Sequence, residues 1–318
     1  MASANSERVC IHNWRVLCHG KSKQGDGKHG SIYRSSRPDL MDPLDLEEFK
    51  KHGIKCIIDL RSAKDYEIAS GSKVLDNYYK LYKVVLPKSN RYKQQEPIIC
   101  QAIDGKQKKR ATVPATEILE QKHFLINFFT SEYTSTVFKR APWYIQLISL
   151  FIAIFDFIFR TGFKNFVRLF AVTVINREGI AASYVDIAEM SRGGLCAGLK
   201  LLTDKNNMPA MINCAHGKDR TGILSALVLS VLGETEENII TDYALSQEGL
   251  LPIRDRVFKE VVERYYWDKS FCDANPENMR MLLKYLNKTY GSVKDYLVSI
   301  GFSEEEQEIL RKNLLEHE

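Results

Sequence analysis

The 318-residue sequence predicts an α/β fold, in which a mostly parallel central sheet is flanked by helices and followed by a helical C-terminal region. Three observations predict it. Met208–Leu232 reads as a short buried strand, a tight polar loop and an apolar helix. Lys55–Leu60 is another short apolar run with polar residues at its end, where open parallel sheets gather ligands. From Glu236 onward, apolar residues recur at helical spacing.

The first part of the chain predicts short elements separated by loops. Residues 1–12 are polar and read as a flexible N-terminus. Residues 13–36 predict a strand pair joined by a Gly- and Lys-rich loop. Asp45–His52 predicts a short helix, and Tyr78–Val85 predicts a strand. We expect residues 13–318 to form a single domain, since a chain of this size suits one large domain or two modest ones.

Two unusual stretches interrupt this domain. Residues 88–112 read as a basic loop, because Lys80 to Arg110 holds nine Lys or Arg against two acidic residues. Such runs are usually solvated surface, and the functional alternative is attraction to an acidic membrane or substrate. The second stretch is an apolar helical insertion at about residues 120–175, centred on Trp143–Phe170.

The apolar insertion has three interpretations. Ile145–Phe159 is almost entirely apolar, but its fifteen residues fall short of the ~20 that a spanning helix needs. The segment is a lid over the active site, a helix in the membrane interface with Trp143 and basic residues at the headgroups, or core. A lid or an interfacial helix is favoured over a true span.

The rest of the chain predicts helices around the central strand and loop. Ile180–Leu202 reads as a helix beside the loop helix, which should stop near Gly233. The helices predicted after it are Glu236–Leu245, Pro252–Trp267, Asn278–Lys288, Val293–Ser299 and Glu304–Leu315. Gly291 and Gly301 serve as stops between the last three.

The polar loop combines residues that can bind a phosphate and attack it. Cys214 and Arg220 are separated by five residues, and Gly217 permits positive φ where the backbone must curl. The loop sits at a helix N-terminus, where free N–H groups and the helix dipole favour an anion. A thiol in such a positive field ionises readily. A nucleotide-binding loop is excluded, because Asp219 rather than Ser or Thr follows Gly217-Lys218.

These residues suggest catalytic roles. Cys214 is the candidate nucleophile, and Arg220 offers a planar fork that matches two phosphoryl oxygens. Thr221 is expected to donate a hydrogen bond to the departing sulfur. Asp219 is the candidate general acid, because a carboxylate beside a phosphate would disfavour simple binding and should gain a proton there. Asp59 is the second candidate for the acid.

The remaining candidates are substrate-binding residues. They are Ala215, His216, Gly217, Lys218, Thr221 and Arg61. His216 has the alternative of merely capping or filling. Lys218 is expected at the pocket mouth, where it would favour acidic or polyphosphate substrates, with a solvated lysine as the alternative. Arg61 has the alternative of a structural ion pair with Glu67.

The loop resembles that of cysteine-dependent protein tyrosine phosphatases. Its form Cys-Ala-His-Gly-Lys-Asp-Arg-Thr-Gly at 214–222 is similar to the branch of tyrosine/serine phosphatases related to mycobacterial protein tyrosine phosphatase B and its fungal relatives. Four further segments resemble that branch: Asn13-Trp14-Arg15, Ile32 to Ser36, Ile58 to Ser62 with Glu67, and Asp242 to Ser246. The sequence departs from the branch at Asn213, where the family usually has His, and at Val16, where it has Asp.

The resemblance implies a metal-independent enzyme that works through a phosphocysteine and needs no cofactor. It implies a protein tyrosine phosphatase, with activity on phosphoserine or phosphothreonine as an extension, and a lid of helices over the site. A phosphoinositide phosphatase at a membrane surface is the rival, given Lys218, the basic run and the apolar segment. A phosphate-binding module without turnover is the non-enzymatic alternative.

The composition of the sequence limits the kinds of partner and the cellular compartment that we expect. The net charge of +5 suits anionic substrates or peripheral contact with a membrane, and does not argue for nucleic acid. Seven cysteines without CxxC spacing, one of them needed as a free thiolate, argue for a reducing compartment. The N-terminus lacks an apolar signal core. We therefore expect a cytoplasmic protein, with membrane association as the extension.

Overall fold

The computed structural model describes residues 11–17, 31–103 and 112–315. In this part of the chain, eight strands form one sheet with the order β1-β2-β8-β3-β7-β4-β5-β6. The strands are β1 (Arg15–Val16), β2 (Ile32–Ser35), β3 (Cys56–Asp59), β4 (Lys80–Val84), β5 (Ile99–Ala102), β6 (Thr112–Pro114), β7 (Lys122–Leu125) and β8 (Ala210–Asn213). The five central strands β2, β8, β3, β7 and β4 are parallel, while β1, β5 and β6 pair antiparallel at the two edges. The predicted α/β fold is confirmed.

The helices lie before and after these strands. They are α1 (Pro43–Lys51), α2 (Ala63–Ile68), α3 (Ser131–Arg140), α4 (Trp143–Ile158), α5 (Lys164–Phe170), α6 (Asn176–Met190), α7 (Arg192–Thr203), α8 (Asp219–Leu232), α9 (Glu236–Ala244), α10 (Ser246–Gly249), α11 (Arg254–Phe258), α12 (Pro276–Tyr290), α13 (Val293–Ser299) and α14 (Glu304–Leu315). The C-terminal region is helical, as predicted. None of the helices in the described ranges is both long enough and apolar enough to cross a bilayer.

Two cores cover the two faces of the sheet, and the alternation of side chains along the strands explains why. On β8, Ala210 and Ile212 face the larger core beneath α6 to α9 and α12 to α14, whereas Met211 faces a smaller core with Phe49 of α1. Helix α8 is buried along nearly its whole length, so it forms the centre of the larger core. This burial fixes the loop that precedes α8 against the sheet.

The ends of these helices follow local capping chemistry. Asp42 caps α1 in a reciprocal capping box with Asp45, and Asn275 caps α12 just before Pro276. Gly233 ends α8 in the left-handed region, with φ +84°. The stop predicted near Gly233 is confirmed.

Several sequence boundaries are corrected. Residues 122–125 do not belong to the insertion, because they form β7 in the middle of the sheet. The 88–112 stretch contains β5 and the first residue of β6, while residues 104–111 fall outside the described part of the chain. Ser191 divides the helix predicted over Ile180–Leu202 into α6 and α7. The loop predicted between β1 and β2 and residues 1–10 also fall outside the described residues.

Candidate active site

The carboxyl ends of four parallel strands meet at one edge of the sheet. Ser35, Asn213, Asp59 and Leu125 pair in register as the last residues of β2, β8, β3 and β7. The chain therefore leaves these strands side by side, and Cys214 emerges at the centre of this row. In open α/β sheets this edge is where ligands bind.

The loop from Cys214 to Arg220 curls tightly over the end of β2. Cys214 is 2% exposed, and α8 begins at Asp219. Gly217 has φ +67°, and a Cβ built on it would lie 2.1 Å from the carbonyl oxygen of Ser35. Only glycine combines this backbone conformation with this close approach. The prediction that Gly217 lets the loop curl is confirmed.

Three consecutive carbonyls of the loop are held from outside. The N–H of Arg37 donates to the oxygen of Ala215 at 3.3 Å. Asn13 Nδ2 donates to the oxygens of His216 at 3.3 Å and of Gly217 at 2.9 Å. Because a trans peptide directs N–H and C=O to opposite sides, these bonds turn the next three N–H groups toward the loop interior. The result is a ring of donors of the kind that binds an anion.

An ion-pair network braces the back of the loop. Arg34 is fully buried and donates from Nη2 to Gly217 O at 2.9 Å and from Nη1 to Asp242. Arg15 Nε donates to Asp242 Oδ1 at 2.9 Å and Nη2 to Ser246 Oγ at 3.2 Å. Burial opposes ionisation of Asp242, but Arg34 and Arg15 outweigh it and hold its pKa below the usual value. The network connects three of the segments that resemble the phosphatase branch: Asn13-Trp14-Arg15, Ile32 to Ser36 and Asp242 to Ser246.

Arg220 stands at the open side of the loop. Its Nη1 donates to the carbonyl oxygen of Leu60 at 2.8 Å, and its guanidinium lies 5.0 Å from the ring centroid of Phe129. These two contacts fix the plane of the guanidinium. Among the described residues, its other N–H groups have no acceptor, so they remain available to an oxyanion.

Asp219 and Lys218 form a tight cluster with two tyrosines. Asp219 Oδ1 accepts from Tyr184 Oη at 2.6 Å and from Lys218 Nζ at 2.8 Å, and the hydroxyls of Tyr184 and Tyr243 are 2.7 Å apart. Burial opposes ionisation of Asp219, but Lys218 and Tyr184 outweigh it and lower its pKa. Asp219 is therefore a carboxylate in the free protein.

Lys218 does not lie at the pocket mouth, and this prediction is wrong. The side chain is 1% exposed, and its ammonium also donates to the carbonyls of Phe271 and Asp273, each at 3.0 Å. An ammonium has three donors, and here all three are engaged. The residue therefore ties the loop to the 271–273 segment and to Asp219.

His216 faces away from solvent toward an acidic partner. Its Nε2 lies 2.9 Å from Glu260 Oε2, and Arg37 donates to both oxygens of Glu260, at 2.6 and 3.1 Å. Burial lowers the pKa of His216 although Glu260 opposes the change. Burial disfavours ionised Glu260, but His216 and Arg37 outweigh it and lower the Glu260 pKa to about 2. His216 thus anchors the loop, as its alternative interpretation expects.

Asp59 and Arg61 belong to a buried network beside the loop. Arg61 donates to both oxygens of Asp59 and to both oxygens of Asp39, at 2.6 to 3.0 Å, and Asp59 also contacts His123 Nε2 at 3.3 Å. Burial opposes ionisation of Asp59, but Arg61 and His123 hold its pKa far below the usual range. The predicted pair between Arg61 and Glu67 is wrong: its partners are Asp59 and Asp39, and Glu67 is exposed. With its fork occupied, Arg61 has no donor pair to offer a substrate.

Asn213 and Thr221, which lie on either side of the loop in the sequence, carry buried polar atoms without partners in the part of the chain that the structure describes. Within the described ranges, Thr221 Oγ1 and both amide atoms of Asn213 have no hydrogen-bond partner. The hydroxyls of Ser35, Ser36 and Ser225 also lack a partner among the described residues, so this property does not by itself mark a ligand site. Thr221 is fully buried one residue after Arg220, at the start of α8.

The site contains residues to which the sequence reasoning gave no role. Tyr184, Arg37 and Glu260 were not singled out, because nothing in their local pattern connects them to a loop many residues away. Asn13 and Arg34 appeared only within segments quoted for the resemblance. Their role in holding the loop carbonyls is visible only once β1 and β2 lie beside β8.

Comparison with known proteins agrees with this geometry. A family model described as "Tyrosine phosphatase family" matches residues 10–154 and 169–316. The triple specificity protein phosphatase PtpB of Mycobacterium tuberculosis is 28% identical over 110 residues, which cover 30% of this chain and 40% of that protein. A tyrosine-protein phosphatase of Nostoc commune is 30% identical over 118 residues, covering 33% of this chain and 38% of that protein. The matches thus span about two fifths of the length of these curated relatives.

Proposed function

The chain belongs to the tyrosine phosphatase family, and from this premise we propose that it is an enzyme that hydrolyses phosphomonoesters of proteins through a phosphocysteine. The proposed first substrate class is the phosphotyrosyl protein, with phosphoserine and phosphothreonine as extensions. The proposed chemistry uses the loop from Cys214 to Thr221 and needs no metal or cofactor.

The reaction has two steps. In the first, the Cys214 thiolate attacks phosphorus, an S–P bond forms, and the bond from phosphorus to the leaving oxygen breaks while that oxygen takes a proton from Asp219. In the second, water attacks phosphorus, gives its proton to Asp219, and the S–P bond breaks to release phosphate. Arg220 and the amides of residues 215–220 hold the three equatorial oxygens in both steps.

One observation carries this proposal: the carbonyls of Ala215, His216 and Gly217 are each bonded on the outside of the loop. A loop fixed in this way has its N–H groups aimed before the substrate arrives, and preorganised donors are usually the largest single contribution to such catalysis. The unpartnered Thr221 hydroxyl supports its proposed role as donor to the sulfur when the second step regenerates a thiolate.

We assign the acid to Asp219 rather than Asp59. Asp219 adjoins the loop at the start of α8, whereas the Asp59 carboxylate is buried and held by Arg61. Asp219 is ionised in the free protein, so it must gain its proton together with the substrate. A bound phosphate dianion supplies the reason, because like charge disfavours ionisation and outweighs part of the attraction to Lys218.

The simplest test is hydrolysis of an aryl phosphate with Cys214→Ser as the control. We expect turnover by the wild type and none by the variant. Asp219→Asn should slow phenyl phosphate by about 10² or more, but slow p-nitrophenyl phosphate much less, because a good leaving group needs no proton. Equal effects on both substrates would remove Asp219 from the role of acid. No turnover by the wild type would favour a phosphate-binding module without catalysis.

A phosphoinositide is the second candidate substrate. Lys218 no longer supports it, because its ammonium is buried and fully engaged. The exposed apolar helix α4 favours it, because a protein resting on a membrane meets lipid phosphates. Phosphate release from tyrosine phosphopeptides compared with release from phosphoinositide vesicles ranks the two substrates. A higher kcat/KM on vesicles would replace the phosphoprotein in this proposal.

A further inference from the structure

Helix α4 exposes most of its apolar residues and buries two polar ones, which is the reverse of a surface helix in water. Ten of its sixteen residues are large, apolar and exposed, including Trp143, Phe151 and Phe157 at 75%, 67% and 75% exposure. At 100° per residue, these ten positions cover an arc of about 180° on one side of the helix. Its two buried residues, Ser149 and Asp156, are polar and lie on the opposite side.

The polar side of α4 is satisfied inside a hairpin formed with α5. Asp156 accepts hydrogen bonds from Asn165 Nδ2 at 2.7 Å, from the N–H of Phe166 at 2.9 Å and from Thr161 Oγ1 at 2.5 Å. Ser149 Oγ donates to the carbonyl of Gln146 at 2.7 Å. The polar groups on the inner side of the hairpin are therefore paired, and its outer side is mostly apolar.

The charges of the hairpin are of one sign at its surface. Between Trp143 and Ile175 the acidic residue is Asp156, which is buried, and the basic residues are Arg160, Lys164 and Arg168, which are exposed. Arg160 and Lys164 lie in and just after the turn between the two helices. An apolar face flanked by cations complements an anionic lipid surface, where each cation contributes about 1 kcal/mol.

Helix α3 lies between the base of the hairpin and Arg220. Its base packs through Phe170 and Ile145 against Val137 of α3. At the other end of α3, Tyr133 contacts Phe129, whose ring lies under Arg220. A continuous set of side-chain contacts along α3 therefore connects the hairpin to the site.

We propose that the exposed face of α4 docks on an anionic lipid bilayer, lying flat in the headgroup region. Sixteen residues give a helix of about 24 Å, shorter than the ~30 Å hydrocarbon core but suited to lie within the interface. The tip, residues 155–168, falls between the two segments that match the family. The proposal goes beyond catalysis, since docking does not depend on the nucleophile.

The test is co-sedimentation of the full chain with phosphatidylcholine vesicles, with and without phosphatidylserine. Phe151→Glu with Phe157→Glu should lower the partition coefficient at least tenfold. The matched control is Leu44→Glu with Leu119→Glu, which removes two exposed leucines elsewhere, at 75% and 88% exposure, and should bind like the wild type. Arg160→Gln with Lys164→Gln should lose about fivefold per cation on phosphatidylserine vesicles and little on neutral ones.

A second readout does not depend on the charged variants. The tryptophan emission of the full chain should shift to the blue when phosphatidylserine vesicles are added, and Trp143→Phe should lose this shift while Trp14 and Trp267 remain. Absence of vesicle binding by the wild type overturns the proposal. If light scattering instead shows a dimer that Phe151→Glu dissociates, a second copy covers the face. If Phe151→Glu with Phe157→Glu changes hydrolysis of a soluble aryl phosphate and the wild type binds no vesicles, the exposed face of α4 closes on the active site instead.

Discussion

Replacing Gly217 by Ala tests whether the close approach of the loop to β2 positions the catalytic groups. A Cβ at this position would lie 2.1 Å from the oxygen of Ser35 and 2.6 Å from the nitrogen of Ser36, both backbone atoms. Gly233 supplies the matched control. It also has positive φ, +84° against +67°, but a Cβ there meets nothing within 4 Å.

Both substitutions force a residue with a side chain into a left-handed backbone conformation, but only Gly217→Ala also creates a steric clash. An alanine in the left-handed region costs about 1 to 2 kcal/mol at either site. At Gly217 the loop must also move by about 1 Å to relieve the contact, and a misplacement of that size costs about 10² in rate. This corresponds to about 2.7 kcal/mol of transition-state stabilisation.

Urea unfolding and p-nitrophenyl phosphate kinetics separate these effects. We expect Gly233→Ala to lower the free energy of unfolding while kcat/KM stays within about threefold of the wild type. Gly217→Ala should lower kcat/KM by about 10² or more. If Gly217→Ala is as active as Gly233→Ala, the packing of the loop against β2 does not position the phosphate-binding groups.

Three further predictions follow from the contacts around the loop. Glu260→Gln should lower the free energy of unfolding by about 2 to 3 kcal/mol at pH 7. The difference from the wild type should shrink as pH falls from 4.5 toward 2, because the ionised carboxylate stabilises the fold only above its lowered pKa. A difference that stays constant in urea unfolding across this pH range would contradict the prediction. Asn13→Ala removes a donor from two loop carbonyls and should cost about 1 to 3 kcal/mol together with a lower kcat; unchanged values in both assays would count against the bracing role. Arg61→Met removes the bidentate partner of two buried carboxylates, which keep only the longer contacts to His123 at 3.3 Å and Arg37 at 3.6 Å, and should lower the free energy of unfolding by about 3 kcal/mol. A stable variant with only a raised KM would restore the predicted contact between Arg61 and substrate.

The parts of the site that depend on local pattern were predictable. The strand, loop and helix from β8 to α8 are contiguous, and the glycines, the cysteine and the arginine each carry a local chemical reason for their place. The position of Asp59 at the ligand-binding edge of the sheet was predictable as well, because Asp59 ends a buried parallel strand. These features need only the polarity of a strand and the geometry of a helix N-terminus.

The rest depends on tertiary contacts. Strand β7 lies in the stretch predicted as an apolar helical insertion, and it begins with Lys122 and His123, which are both buried. Lys122 Nζ donates to the carbonyl of Ile118 at 2.7 Å, and His123 contacts Asp59. Lys218 was misplaced for the same reason, because its three acceptors come from Asp219 and from a segment more than fifty residues later. The burial of the Lys218 charge is therefore set by partners that lie far away in the sequence.

The amide of Asn13 precedes the loop in the sequence and the carboxylate of Glu260 follows it, and both contact the loop. During synthesis the loop leaves the ribosome before the segment that carries Glu260 exists. Competence should therefore arise late and all at once, when the segment beyond residue 260 has folded back. Activity would then report completion of the whole fold, and fragments that keep the loop and its nearest strands but lack the segment of Asn13 or that of Glu260 should be inert.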